Sequence, residues 1–485
     1  ILRCAQNDTH GHLSPHKLVL ERSEGMGCTL TGSLTGLRPC DAGSWILPWS
    51  INPKPWCRRR KAVPEIRPFA AIRYDQSRFG GDLSRLIAPP YDVLDERDKQ
   101  GLLARSERNI VAIDLPHIPP KSAGPAEVYE RSARMLNEWL GDGILIREAS
   151  AALYAYHQQF EYAGRSYTRR MFIARVRLAP FSDGSILPHE KTFGGPKEDR
   201  LALMKATRCN LSPIFGLYAD PRERIGSALA SRVSKSPDLT ATLEGVENRV
   251  WFVTDAAVIE RVVTEMGERK VYIADGHHRY GTALLYRDFV GGRSGGLSAD
   301  HPANFVMFVL ASMDDPGCLI LPYYRVLGHI DLPSLLDAWR DGVGVAAPPF
   351  EKGGTKGGSA APDLVLWEGS TGREVALRFT NRRVLHSLEP EEVPPWYDLD
   401  YAYLHRYLLD ELLVKKLGGE PKIHYVKSLD DARRAARDEQ GVALLVNATP
   451  MAHLRAVSEA GGLMPQKSTY FHPKLATGLT INPLM

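Results

Sequence analysis

Apolar positions along this chain alternate between runs that suit a strand and spacings that suit a helix. From about Val63, "EIRPFAAIRYD" (65–75) predicts a strand, with Ile66, Phe69, Ile72 and Tyr74 β-compatible and Pro68 near its start. The prolines of "APPYDV" fix a loop, and "DERDKQGLLAR" reads as a helix after it. "NIVAIDLP" (109–116) predicts a short buried strand ended by proline. In 126–140, Tyr129, Ala133, Leu136 and Leu140 recur at helical spacing, Gly141 stops the helix, and the stripe reads as a core face. Two β-rich runs flank Ala163-Gly164-Arg165, so 152–178 predicts a hairpin. "RVWFVTD" and "KVYIADG" predict strands bracketing a helix over 256–267, a strand–helix–strand unit with Asp275 at the end of its second strand. "NFVMFVLASM" (304–313) predicts another buried strand.

The texture changes after about residue 330. "DLPSLLDAWRDG" and "LDDARRAARDEQ" read as helices, "WYDLDYAYLHRYLLDELLVKKLG" as a long one, and "VALLVNA" as a buried strand. Between them, "EKGGTKGGSAAPD" (351–363) predicts a mobile connection. No fixed-period repeat is visible.

Composition adds class. The chain has 485 residues, 44% hydrophobic and 24% charged, which suits a globular protein of two to four domains. No run of about 18 apolar residues predicts a transmembrane helix. Residues 1–62 hold nine of the 61 Lys/Arg and four of the 57 Asp/Glu, leaving 52 against 53 in the rest. The body therefore has no basic excess, which counts against a nucleic-acid surface. Cys4, Cys28, Cys40 and Cys57 lie in that first segment, and only Cys209 and Cys318 beyond it. Two distant cysteines suggest a reduced, cytoplasmic protein. Residues 1–62 show no sustained period, no signal-peptide pattern and no zinc spacing, and are expected to be a disordered tail or upstream sequence from an incorrect start site.

The chemistry gathers in "KVYIADGHHRYGTALLYRD" (270–288). An apolar run stops at Asp275-Gly276, and a helix is expected from about His277. A helix start leaves its first four N–H groups unpaired and carries partial positive charge, which favours an anion such as phosphate. Gly276 lets an anion approach the backbone, Arg279 could fork onto phosphate oxygens, and His277 and His278 could donate hydrogen bonds or charge. Asp275 could hold a divalent cation or orient a hydroxyl. A histidine-metal site competes with this reading, but adjacent helical histidines point about 100° apart. The plain alternative is that Asp275 only caps the helix above a solvated surface.

Two further segments are candidates. "ILPHEKTFGGPKEDRLALMK" (186–205) carries His189, Glu190 and Lys191, with Lys197 and Arg200 adding charge that a solvated helix start explains equally well. "MPQKSTYFHPKLATGL" (464–479) offers Lys467, Ser468 and Thr469 as phosphate or substrate contacts, or else a terminal strand docking on the core. It lacks the spacing of a P-loop.

"ADGHHRY" resembles the phosphate loop of free-serine kinases in the ParB/sulfiredoxin-like superfamily, and "PHE" at 188–190 resembles the element that supplies their general base. That resemblance implies Glu190 as base. About eighty residues separate the two motifs here, far more than in those small kinases. From about Glu65 on, the chain also resembles the "domain of unknown function 1015" family, through "IRPFAAIRYD", "APPYDV", "LPHEKTFGGPKEDRLALMKAT", "NLSPIFGLY", "ADGHHRYGTAL" and "PQKSTYFHPKLATGL" in that order.

The expectation is an α/β (α+β) protein with mixed sheets. Residues 63–330 would form a ParB/sulfiredoxin-like nucleotide-binding core with large insertions, and 331–485 a C-terminal α/β region. The expected activity is phosphoryl transfer from ADP or ATP to a small hydroxyl metabolite such as serine. Glu190 would be the base, Asp275 the holder of Mg2+, and Gly276 to Arg279 the phosphate loop. A non-catalytic nucleotide-binding regulator and a phosphohydrolase are the alternatives.

Overall fold

The computed structural model describes residues 63–119, 123–190, 195–345 and 361–485. The expectations for residues 1–62, for Lys191 and for most of 351–363 lie outside them.

The architecture is mixed α/β with several sheets. The largest sheet has nine strands: β1 (Ile66–Arg67), β2 (Leu153–Tyr162), β3 (Arg165–Arg177), β4 (Ile186–Leu187), β5 (Ile214–Tyr218), β6 (Leu239–Leu243), β7 (Val246–Val253), β8 (Val271–Asp275) and β9 (Phe305–Ser312). Their order across the sheet is β4-β8-β5-β9-β3-β2-β7-β6, with β1 beside β3. β2 and β3 are the predicted hairpin. Ala163 and Gly164, at φ 49° and 73°, form its two-residue turn, whose left-handed backbone matches the twist of the strands.

Period-two alternation sorts the strands onto two cores. Phe172, Ala174 and Val176 face one core, shared with the helices Arg224–Val233 and Ala256–Met266. Met171 and Ile173 face the other, which continues without a break into the C-terminal part of the chain. The helices include α1 (Ala126–Gly141), α2 (Gly195–Thr207), α3 (Ala256–Met266) and α4 (His277–Ser294). α2 packs against both α1 and α4. Asp255 caps α3, accepting from the N–H groups of Ala257 and Val258.

The predicted strand–helix–strand unit is present, with β7 and β8 flanking α3 and four strands between them in the sheet. Two expectations are corrected. Residues 109–116 are no strand: Val111–Asp114 is a helical turn. Asn109 drives it, its Oδ1 accepting from the Val111 N–H at 3.0 Å and its Nδ2 donating to the carbonyls of Arg85 and Ile87 at 2.9 Å. A run buried on all sides carries no period that separates strand from helix. The strand read over 65–75 is two short ones, Ile66–Arg67 and Ile72–Tyr74. The long helix predicted around residues 396–418 is present from Asp400 to Leu417, and its middle, Tyr403–Leu413, is wound as a π-helix.

A second sheet of six strands runs, across its width, Val343–Val345, Glu374–Phe379, Leu364–Glu368, Val442–Val446, Tyr324–Leu327 and Ile423–Val426. The segment that follows pairs outside both large sheets. Tyr470–His472 pairs with Leu319–Leu321, and Asn482–Pro483 pairs with Cys209–Asn210. Single bridges join Thr477 to Ala88 and Ile481 to Ile72. Among the described residues no helix is long and apolar enough to cross a membrane.

Candidate functional site

β8 is buried over Val271–Ala274 and opens at Asp275. Its register against β5 slips between Ile273 and Asp275, a bulge of the kind that re-aims side chains beside functional sites. Gly276 then adopts φ 93°, ψ 28°, and α4 begins at His277. A Cβ at Gly276 would lie 3.0 Å from Nε of Arg279. Both the backbone angle and that approach call for glycine. Gly276→Ala is therefore expected to lower unfolding free energy by at least about 1 kcal/mol, the cost of left-handed backbone for a residue with a Cβ. Urea unfolding checks this; an unchanged midpoint would contradict the described loop.

Arg279 is turned inward. Its side chain is 8% exposed and folds back under the loop. Nη1 donates to the Pro213 carbonyl, while Nη2 lies 3.5 Å from Asp275 Oδ1 and 3.9 Å from Asp92 Oδ2. The guanidinium fixes the loop from below.

Asp275 is the electrostatic centre. Its Oδ2 accepts from Lys474 Nζ at 2.6 Å. Burial pushes the carboxyl pKa up, but Lys474 and Arg279 outweigh it and hold the group well below the usual carboxylate range. Burial likewise works against the Lys474 ammonium, and Asp275 reverses that, raising its pKa.

His189 ties the upstream segment to this loop. Its Nδ1 lies 2.7 Å from the Ile273 carbonyl, which can only accept, so Nδ1 carries the proton. Its Nε2 is then free to accept from the Thr469 hydroxyl at 3.0 Å. The His189 backbone N–H donates to His277 Nε2 at 3.2 Å. Burial lowers the pKa of both rings, so they stand here as neutral hydrogen-bonding groups. Burial, with Lys197 nearby, lowers that of His278 too. Glu190 follows directly, Oε1 3.9 Å from His189 Nε2, with its side chain 28% exposed. Among the described residues no group of three or more His, Cys, Asp or Glu could hold a metal ion.

The 464–479 segment divides. The Met464 N–H donates to the His189 carbonyl at 2.8 Å, and Thr469 reaches its ring. Ser468 turns inward, its hydroxyl donating to the Pro465 carbonyl. Lys467 Nζ lies over the Tyr323 ring at 5.3 Å, and its carbonyl accepts from Arg325 at 3.0 Å. Lys197 lies along α4 at Gly281. Arg200 is elsewhere, buried with Asp199 and Asp114 and stacked 3.9 Å over Tyr91. The same Tyr91 ring lies 5.9 Å from Arg279, so "APPYDV" supports the loop through Tyr91 and Asp92. Neither those residues nor Lys474 stands out in the sequence, although each lies in a conspicuous segment.

Residues 66–392 match the family model described as "Protein of unknown function (DUF1015)". The chain belongs to this family. The DUF1015 match includes Glu190 and the Asp275–Arg279 loop, and ends before the 464–479 segment. Among curated proteins none matches. Solved structures with a partial likeness to this DUF1015 chain include a free serine kinase mutant in complex with ADP, at 13% identity and TM-score 0.31, covering 61% of this chain and 89% of that one. Another is a conserved hypothetical protein from Pyrococcus furiosus, at 14% identity and TM-score 0.29, covering 61% and 93%. A third is SbnI with C-terminal truncation from Staphylococcus aureus, at 13% identity and TM-score 0.31, covering 64% and 87%. Likenesses at such scores carry no weight for function.

Proposed function

We propose that this site transfers a phosphoryl group from a nucleotide, ADP or ATP, to the hydroxyl of a small molecule, serine or a similar metabolite. One observation carries the reading. Glu190 stands beside a histidine whose backbone N–H and ring Nδ1 are bonded to His277 and Ile273, on either side of the Asp275-Gly276 turn. The fold thus brings a part-exposed carboxylate to a helix start suited to phosphate.

In this reading the core is of the ParB/sulfiredoxin-like kind, with 331–485 a second α/β region. A cytoplasmic location fits the buried free thiols of Cys209 and Cys318. The start of α4 and the loop above Arg279 receive the donor's phosphates. Glu190 takes the acceptor's hydroxyl proton, the acceptor oxygen bonds to the terminal phosphorus, and the bond to the nucleotide's bridging oxygen breaks. The leaving nucleotide keeps that electron pair. Positioning and charge stabilisation supply most of the rate in such chemistry. Asp275 does not fit a direct Mg2+ ligand as arranged, because Lys474 holds one carboxylate oxygen and Arg279 faces the other.

The test is phosphorus NMR of the full chain with ADP or ATP, Mg2+ and a panel of hydroxylated metabolites. A new phosphate-ester signal is expected. Binding without transfer to any acceptor would point to a regulator, and phosphate release without an acceptor to a hydrolase.

A further inference from the structure

We propose that Lys474 is the residue that meets the donor's terminal phosphate, so that the C-terminal segment completes the site. The proposal rests on the phosphotransferase reading.

The placement of Lys474 is costly and specific. Asp275 lies 199 positions away in sequence, yet the two pair at 2.6 Å. A buried pair on adjacent strands grips the backbone around Lys474. Arg169, fully buried on β3, donates to the carbonyls of His472 at 3.4 Å and Pro473 at 2.6 Å, and to the side chain of its cross-strand neighbour Gln158. Gln158, on β2, donates to the carbonyl of Lys474 itself at 3.1 Å. Three successive carbonyls are thus held by side chains of the nine-stranded sheet. Burying a guanidinium on carbonyls and an amide works against the fold, since desolvation penalises the charge. Fixing the position of Lys474 is a function that would account for it.

The surroundings also favour an anion. Lys474 and Lys427 lie over the Tyr470 ring at 5.3 and 5.4 Å, and Lys467 over Tyr323 at 5.3 Å. The two rings are 5.4 Å apart, so three ammonium groups gather on one aromatic pair beside Asp275. An ammonium carries three donors, of which Asp275 accepts one. Such a point charge is a common phosphate binder. It already stands at the carboxylate oxygen that a metal would otherwise take.

Calorimetric titration of the full chain with ADP and with AMP, in Mg2+ and in EDTA, tests this. The wild type is expected to prefer ADP in both buffers. Lys474→Met should weaken ADP binding roughly 10- to 100-fold, the range of one charge-assisted hydrogen bond. AMP affinity should change little, and Lys474→Arg should recover part of the ADP preference. If Lys474→Met does not fold, Lys474→Gln keeps a donor toward Asp275 while removing the charge, and the same loss of ADP preference is expected. An unchanged ADP-to-AMP ratio in either folded variant overturns the proposal, as does a preference that vanishes in EDTA. A wild type that binds neither nucleotide overturns the phosphotransferase reading as well.

Discussion

Glu190→Gln is expected to leave nucleotide affinity unchanged and to slow phosphoryl transfer roughly 10²- to 10⁴-fold, the span that general-base catalysis contributes. The substitution keeps the shape of the side chain and removes only its capacity to accept a proton. Glu190 approaches the Asp275–Arg279 loop through its neighbour, since the hydrogen bonds to Ile273, His277 and Thr469 all belong to His189. Its own side chain is 28% exposed and 3.9 Å from the nearest histidine nitrogen, so its loss should not disturb the fold. Calorimetry for binding and single-turnover phosphorus NMR for transfer separate the two effects. Full transfer rate in the variant would place the base elsewhere.

Asp275→Ala is expected to cost about 2–3 kcal/mol of stability and to remove nucleotide binding. Breaking a buried ion pair by deleting one partner typically costs about 3–5 kcal/mol, because the remaining charge is left uncompensated. Here about a fifth of each side chain still meets solvent, 21% for Asp275 and 19% for Lys474, which reduces the figure. Arg279 would lose a carboxylate as well, and with it part of what fixes the loop. The pH dependence follows from the sign of the shift. The folded pKa of Asp275 lies below its unfolded value of about 3.9, so its contribution is complete above that value. It is lost as pH falls further, through the folded pKa. Urea unfolding from pH 7 downward should show wild type and variant separated by a constant gap until about pH 4, then converging. A gap below about 0.5 kcal/mol at pH 7, within the range of ordinary surface substitutions, would mean that the ion pair does not support the loop.

The strand, Asp-Gly turn and helix at 270–288 were legible because each leaves a local mark: an apolar run, a turn dipeptide, a 3.6-residue spacing. The hairpin at 152–178 was legible for the same reason. The direction of Arg279 was not. Three residues past a left-handed glycine, its guanidinium folds back beneath the turn, and a side-chain direction of that kind depends on backbone torsion rather than on residue type. Lys474 was missed because nothing local distinguishes it: "FHPKLATGL" reads as a docking strand, and its partner is far away in sequence. The helical turn at 111–114 was missed because Ile110, Val111, Ile113 and Leu115 are all buried, which erases the period on which a local reading depends. Asn109, a residue that often competes with regular structure by bonding nearby backbone, was the available signal.

The docking of residues 472–474 on side chains of the first sheet also sets a schedule for synthesis. Every element of the nine-stranded sheet is made before the six-stranded one, and Asp275 and Arg279 are in place early. Their ammonium partner is made 199 positions after Asp275. A growing chain therefore holds the Asp275–Arg279 loop without its ammonium partner until the segment around residue 474 is free to dock against β2, β3 and β8.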